Sequence, residues 1–312
     1  MPTIVVLIPT FKRPKMLARC LASIAQQDLL SKADLKVIVV VGDNNPNASA
    51  STQVAKIAKG FPCDLLSIHV VKPGLCENRN ALFKKAVALC ADFVALIDDD
   101  EWADPSWLSS FYSGQEKTQA DVLIGPVRTE FHPDTPEWFV LSGIGQTNER
   151  HSLLTTGQPS PKLATSNAFL KGEILTTLET LWFPLELNFI GSEDQSFFAV
   201  AKAKGFERIL WCAEAFVTEE MPLERSDFKY LVSRSLQRGA SSVAAARVTN
   251  RLVSVNEASS PLAVSVRQLL RLVIGLPLLF VRKKRPRVIR HAIYVFGRFQ
   301  GHFSRHQNFY GN

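Results

Sequence analysis

Three consecutive aspartates, Asp98, Asp99 and Asp100, close the apolar run FVALI. Carboxylates crowded at one strand end repel one another unless a cation sits among them. A hard divalent ion, Mg²⁺ or Mn²⁺, prefers such oxygens and keeps positions open for substrate phosphates, so the cluster could stabilise a departing diphosphate. The plainer alternative is capping of the next helix, where aspartate is also favoured. A second acidic pair, Glu193 and Asp194, follows Gly191 at the start of a helical pattern. There Asp194 could serve as a general base, and helix dipole and capping explain acids equally well. Glu219, in VTEEMPLERS, reads by itself as a solvent-facing loop acid. Arg225, Arg234 and Arg238 follow it, and the planar fork of arginine suits diphosphate oxygens.

The elements that position these groups read as alternating strands and helices. Thr3 to Pro9 is a β-branched apolar run, the pattern of a strand buried on both faces, and Pro14 to Gln27 follows as an amphipathic helix. Strands are expected at Lys36 to Val41, Leu65 to Val71 and Phe93 to Ile97, with helices at Ser51 to Lys59 and Glu77 to Cys90. This rhythm implies a doubly wound, mostly parallel α/β sheet, in which ligands bind beyond the carboxyl ends of the strands. Both Asp43 and the aspartate cluster fall at such ends. Past Trp107 the rhythm loosens into a proline-punctuated stretch expected to hold acceptor loops. Strands are then expected at Asp121 to Val127, Ala164 to Leu170 and Ile209 to Val217, with a helix from Glu193 to Lys204. Residues 1–120 form the expected nucleotide-binding part, 121–225 the acceptor and base part, and 226–312 a basic helical region.

The 312 residues are 46% hydrophobic, enough for a substantial core, which excludes a disordered chain. Five cysteines, Cys20, Cys63, Cys76, Cys90 and Cys212, lack paired spacing and fit a reducing compartment, and Met1 to Phe11 reads as a first strand rather than a signal peptide. The net charge of +7 belongs to the tail, since from Pro261 onward there are ten Lys and Arg and no Asp or Glu. Its longest uncharged apolar stretch, Leu272 to Val281, is too short to span a bilayer and is expected to lie on an anionic membrane surface, with residues 261–312 as the attachment. The alternative is an ordinary helix with an exposed basic face. No nucleic-acid partner is expected. His69, His132, His151, His291, His302 and His306 make no metal-ligand spacing, and Trp102, Trp107 and Trp138 are as well explained by packing.

Five segments in order carry a resemblance to a known family. VVLIPTFKRPKMLARCLASIAQQ, VVVGDNN, GLCENRNAL, IDDDE and GSEDQSFF are similar to the successive motifs of the family 2 glycosyltransferases, whose catalytic domain has the GT-A fold. Within that family the pattern most resembles bacterial exopolysaccharide glucosyltransferases of the succinoglycan type. The resemblance implies that Pro9, Asp43, Arg79, Asn80, Asp98 and Asp99 bind the nucleotide sugar, with Arg234 and Arg238 closing over it. It further implies that Asp98, Asp100 and Glu219 hold the divalent metal and that Asp194 is the catalytic base. Many relatives carry histidine where this chain has Glu219, and the Gln-x-x-Arg-Trp signature of processive synthases is missing, so single-sugar transfer is expected. The implied reaction is an inverting transfer from a UDP-sugar, UDP-glucose first among candidates, to a lipid-linked saccharide at the cytoplasmic face of the inner (plasma) membrane. The rivals are a nucleotidyltransferase of similar fold, for which PTFKRP is the wrong phosphate loop, and a non-catalytic membrane or nucleic-acid binder, which would leave the aspartates idle.

Overall fold

The computed structural model describes residues 1–145, 153–179, 181–253 and 260–303. His151 and His306 therefore lie outside the described residues. The chain divides into two compact units, the first of residues 1–128, 149–183 and 204–219 and the second of 129–148, 184–203 and 220–312.

The first unit is built on a seven-stranded sheet. In chain order its elements are β1 (Thr3–Thr10), α1 (Pro14–Ile24), β2 (Lys36–Asp43), α2 (Ser49–Ile57), β3 (Asp64–His69), α3 (Leu75–Ala88), β4 (Phe93–Leu96), β5 (Glu101–Ala103), α4 (Trp107–Thr118) and β6 (Val122–Ile124). After β7 (Val127–Phe131) come β8 (Ala168–Lys171), α6 (Gly172–Leu178), β9 (Ile209–Trp211) and β10 (Val217–Met221), while α5 (Glu137–Leu141) and α7 (Glu193–Ala203) belong to the second unit. The main sheet runs β3-β2-β1-β4-β8-β6-β9, and a second sheet runs β5-β10-β7. β3, β2, β1 and β4 pair in parallel, β8 runs antiparallel to both neighbours, and β9 is parallel to β6. This is the expected α/β class, a mostly parallel sheet flanked by helices. Ile4 to Ile8 are fully buried, as the unbroken apolar run requires of a strand covered on both faces.

Three expectations change, each for a local reason. The strand expected over Asp121 to Val127 is split at Gly125–Pro126, because proline has no N–H for the ladder and a Cβ at Gly125 would collide with the Ala215 carbonyl oxygen. The strand expected from Ala164 starts at Ala168, because Asn167 takes the left-handed conformation (φ 56°). The strand expected over Ile209 to Val217 is two strands in two sheets, with the Cys212–Phe216 turn between them. Asn167 ties these breaks together: its amide donates to the Pro126 and Ala215 carbonyls at 2.8 Å each and accepts from Trp107 Nε1 at 2.7 Å. Trp107, with Leu108 and Phe111 fully buried, begins α4 where loosened rhythm had been expected.

The second unit is mainly helical, adding α8 (Phe228–Leu252), α9 (Pro261–Gly275) and α10 (Arg285–Phe303). α10 lies along α8 at backbone contact. A Cβ at Gly239 would strike the Tyr294 carbonyl oxygen, and one at Gly297 the Leu236 carbonyl oxygen. Arg298, only 3% exposed, joins three helices by donating to Ser242 Oγ at 2.6 Å, Ser265 Oγ at 3.1 Å and the Pro261 carbonyl at 3.2 Å. The basic tail is thus integral to this unit. The length argument is corrected as well, because α9 and the following 3₁₀ turn run from Pro261 to Phe280. These 20 residues are long and apolar enough to cross a membrane by length and composition, and of them only Ser265 is buried.

Candidate active site

Adjacent parallel strands bring their carboxyl ends to one edge of the first unit. β1 ends at Thr10 and β2 at Asp43, which are paired in register, and β4 runs on through Ile97 to Asp98. A crevice at this edge has Pro9, Arg79, Leu96, Asp98 and Thr165 among its walls. The edge is therefore acidic.

The aspartates are held by cations and a hydroxyl. Asp99 is 4% exposed and accepts from Thr10 Oγ1 at 2.7 Å and from Arg13 Nη1 at 3.0 Å. The same Arg13 nitrogen lies 2.8 Å from Asp100 Oδ2, and Arg79 Nη2 lies 3.4 Å from Asp98 Oδ1. Burial raises the Asp99 carboxyl above its ordinary range, a shift that Thr10 and Arg13 only partly offset. Burial would weaken the Arg13 proton, but Asp99 and Asp100 reverse that and hold the guanidinium charged.

A fourth acid completes the turn. Glu101, 2% exposed, accepts the Asp98 backbone N–H at 3.0 Å and so fixes the chain direction after β4. Burial pushes its carboxyl well above the ordinary range, and Asp98, Glu219 and Asp100 add to the shift. Glu219 stands opposite Glu101 in the β5–β10 register, which brings this distant residue to the cluster. Thr10, Arg13 and Glu101 received no role from the sequence. Their signals were present: Arg13 sits in the TFKRP turn that follows β1, and Glu101 extends the acidic run.

The other residues expected at the nucleotide pocket are placed as follows. Asp43 is fully buried, and its oxygens accept the Asn45 and Ser51 backbone N–H groups at 3.0 and 2.9 Å, binding the β2 exit to the start of α2. Asn44 beside it spans the next loop, donating to the Val70 and Lys72 carbonyls and accepting from Gly74 N, each at 2.7 Å. Arg79 and Asn80 share the first turns of α3. Asn80 exchanges two hydrogen bonds with the Phe183 backbone, 2.8 and 3.1 Å, and the Arg79 guanidinium lies 5.6 Å from the Phe183 ring.

Asp194, Arg234 and Arg238 belong to the second unit. Asp194 is half-buried in the first turn of α7, which follows two left-handed residues, Gly191 (φ 90°) and Ser192 (φ 64°). Ser192 Oγ meets Ser241 Oγ of α8 at 2.8 Å. Arg234 and Arg238 lie one turn apart on α8, so their side chains emerge from the same face.

The donors at the acidic edge suit a small hard cation. Among the described residues no three His, Cys, Asp or Glu side chains converge as a ready metal cage. Mg²⁺ and Mn²⁺ do not need one, since one or two carboxylates with substrate phosphates complete their shell, and Asp98 and Asp100 are the carboxylates at this edge that could hold such an ion.

Different roles for neighbouring aspartates give a contrast to measure. Asp99→Ala should cost roughly 1–3 kcal/mol in urea unfolding, because it strands a buried hydroxyl and half of the Arg13 pairing. Asp100→Ala, with a part-exposed side chain, should change stability by less than about 1 kcal/mol. The reverse order of stabilities would show that the two positions are misassigned.

Comparison with known proteins bears on what this edge serves. The model of the family "Glycosyl transferase family 2" matches residues 5–172. Succinoglycan biosynthesis protein ExoM of Rhizobium meliloti (strain 1021) is 30% identical over 232 residues, 74% of this chain and 71% of that protein. Among solved structures, mannosyltransferase PcManGT from Pyrobaculum calidifontis in complex with GDP-Man and Mn²⁺ superposes with a TM-score of 0.60 at 15% identity, over 97% of this chain and 88% of that one. S. aureus TarS 1–349 in complex with UDP-GlcNAc gives a TM-score of 0.55 at 14% identity, over 97% and 92%. At such identities these two likenesses speak for the fold.

Proposed function

This chain belongs to glycosyl transferase family 2 and is a glycosyltransferase, and on that premise we propose an inverting, metal-dependent transfer of one sugar from a UDP-sugar to a lipid-linked saccharide in surface-polysaccharide biosynthesis. The observation that carries the reading is the set of strand-end carboxylates, Asp98 and Asp100, matched by Arg79 and Arg13 at 3.4 and 2.8 Å. Support for the pathway comes from ExoM, a protein named for succinoglycan biosynthesis. A nucleotide donor fits the structural neighbours, which hold UDP-GlcNAc or GDP-Man with Mn²⁺. UDP-glucose is the first donor to test.

In this reading Asp98 and Asp100 would hold the ion, with Glu219 as a further oxygen ligand. When bound, Mg²⁺ or Mn²⁺ supplies Lewis-acid stabilisation of the leaving diphosphate. Arg13 and Arg79 hold the carboxylates in place beforehand, so little reorganisation is left for the reaction itself. Asp194 accepts the proton of the acceptor hydroxyl as its oxygen bonds to the anomeric carbon, and the bond from that carbon to the diphosphate breaks with UDP departing. Arg234 and Arg238 offer forked donors to the diphosphate. Asp194→Asn should retain UDP binding while turnover falls by at least about 100-fold, the usual size of a general-base contribution. Residual turnover above a tenth of wild type with saturating acceptor would exclude Asp194 as the base.

The second unit supports attachment to the cytoplasmic face of the inner membrane. Leu262, Val266, Leu270, Val273, Ile274 and Phe280 are exposed along Pro261–Phe280, next to Arg267, Arg271 and the Arg282–Arg285 cluster. A helix lying in the interface keeps Ser265 on Arg298, whereas a spanning helix would pull that fully buried serine away from the guanidinium it satisfies. Because α10 packs on α8, truncating the tail would damage the fold, so surface substitutions are the sound test. The intact protein should float with anionic liposomes at low salt, and Arg267→Gln/Arg271→Gln should weaken binding by roughly 2 kcal/mol, about 1 per charge. Failure to float at low salt would remove the membrane from the proposal.

A further inference from the structure

Arg13 is anchored by its backbone and shared by its side chain. Its carbonyl accepts the Leu17 N–H at 3.0 Å, and Pro14 after it is the first residue of α1, so the main chain is fixed where the helix begins. The side chain stays 40% exposed. It places a single nitrogen, Nη1, between two carboxylates, 3.0 Å from Asp99 Oδ1 and 2.8 Å from Asp100 Oδ2. A charged nitrogen shared by two carboxylate oxygens at such distances occupies them as a bound cation would.

The two halves of this bridge differ. The Asp99 side chain is buried and also accepts from Thr10 Oγ1 at 2.7 Å, so it is held from two sides. The Asp100 side chain is the half that solvent reaches. A solvent-exposed ion pair exchanges partners at little cost, whereas breaking a buried one leaves an uncompensated charge. Asp100 is also a carboxylate that would hold the divalent ion. An ion arriving there meets a guanidinium already 2.8 Å from Oδ2, and the two cations repel. A diphosphate changes that balance, because its oxygens bind the ion and also accept from a released arginine fork.

We propose that Arg13 is a resident counter-cation that the divalent ion must displace from Asp100, and that loading of the ion is thereby coupled to nucleotide diphosphate. This rests on the reading of Asp100 as an ion ligand. Arg13 keeps its bond to Asp99 and exchanges the one to Asp100 for the diphosphate. The exchange keeps the ion off the enzyme while no nucleotide is present, and it gives the released guanidinium a second use on the leaving group. If Arg13 served only to brace Asp100, removing it would weaken the ion. As a competitor, its removal strengthens the ion.

Mn²⁺ binding to the full-length protein, followed without and with UDP by the electron paramagnetic resonance of the free ion, provides the test. Without nucleotide, Arg13→Gln should bind Mn²⁺ roughly tenfold more tightly than wild type, because one adjacent positive charge has gone from a part-exposed carboxylate. Lys15→Gln, the same change of charge at an exposed position of α1, should stay within about twofold of wild type. UDP should then strengthen Mn²⁺ binding less in Arg13→Gln than in wild type, by a factor of roughly ten, since the variant has no guanidinium to release. Arg13→Gln leaves the buried Asp99 without its cation, so the comparison is repeated between Asp99→Asn and Arg13→Gln/Asp99→Asn, where that charge is gone and the gain should persist. If wild type binds Mn²⁺ with UDP but loss of Arg13 leaves ion-only binding unchanged or weaker in both backgrounds, the proposal is overturned and the ion reading stands. If wild type binds no Mn²⁺ even with UDP, the ion reading fails and this inference falls with it.

Discussion

Four acidic side chains in succession, Asp98 to Glu101, are forced together where β4 leaves the sheet. Unshielded like charges about 4 Å apart repel by roughly 4 kcal/mol at the effective dielectric of a protein surface. The fold meets that cost in separate ways. Thr10 and Arg13, from the end of β1, take Asp99, Arg13 also takes Asp100, and Arg79 from α3 takes Asp98. Glu101 turns inward onto the Asp98 amide and is pushed toward its neutral form. The strand order that puts β4 beside β1 is therefore a requirement of the charge cluster as much as of the apolar core.

The parallel half of the sheet was legible because its strands are buried on both faces and announce themselves as unbroken β-branched runs. TIVVLIP and KVIVVV appear as strands within two residues of their expected ends. Motif order likewise placed Asp43, Arg79 and the aspartates at one edge. Legibility ended where side chains rather than periodicity set the backbone. Asn167, in a left-handed conformation, replaces strand pairing with three side-chain hydrogen bonds, and no local pattern marks it. Arg13 was equally hidden, since a basic residue in a turn after β1 reads as solvated until Asp99 and Asp100 are brought to it from 86 and 87 positions away.

The tail shows the opposite limit. Composition marked it as basic and apolar, which invited the picture of a detachable anchor. Glycine spacing carried other information: Gly239, Gly297 and Gly301 leave room for α10 to press its backbone onto α8, and Arg298 then bridges into α9. One set of helices thus presents an apolar exposed face outward and carries a packed, polar-satisfied face within.

The central claim is that the acidic edge is a metal-assisted site for a nucleotide diphosphate, and titration calorimetry of UDP into the intact protein tests it most directly. With millimolar Mn²⁺, UDP should bind in the micromolar range, about −8 kcal/mol, and excess chelator should weaken that at least tenfold, a loss of about 1.4 kcal/mol. UDP binding of equal strength with and without the ion, or none in either condition, would contradict it.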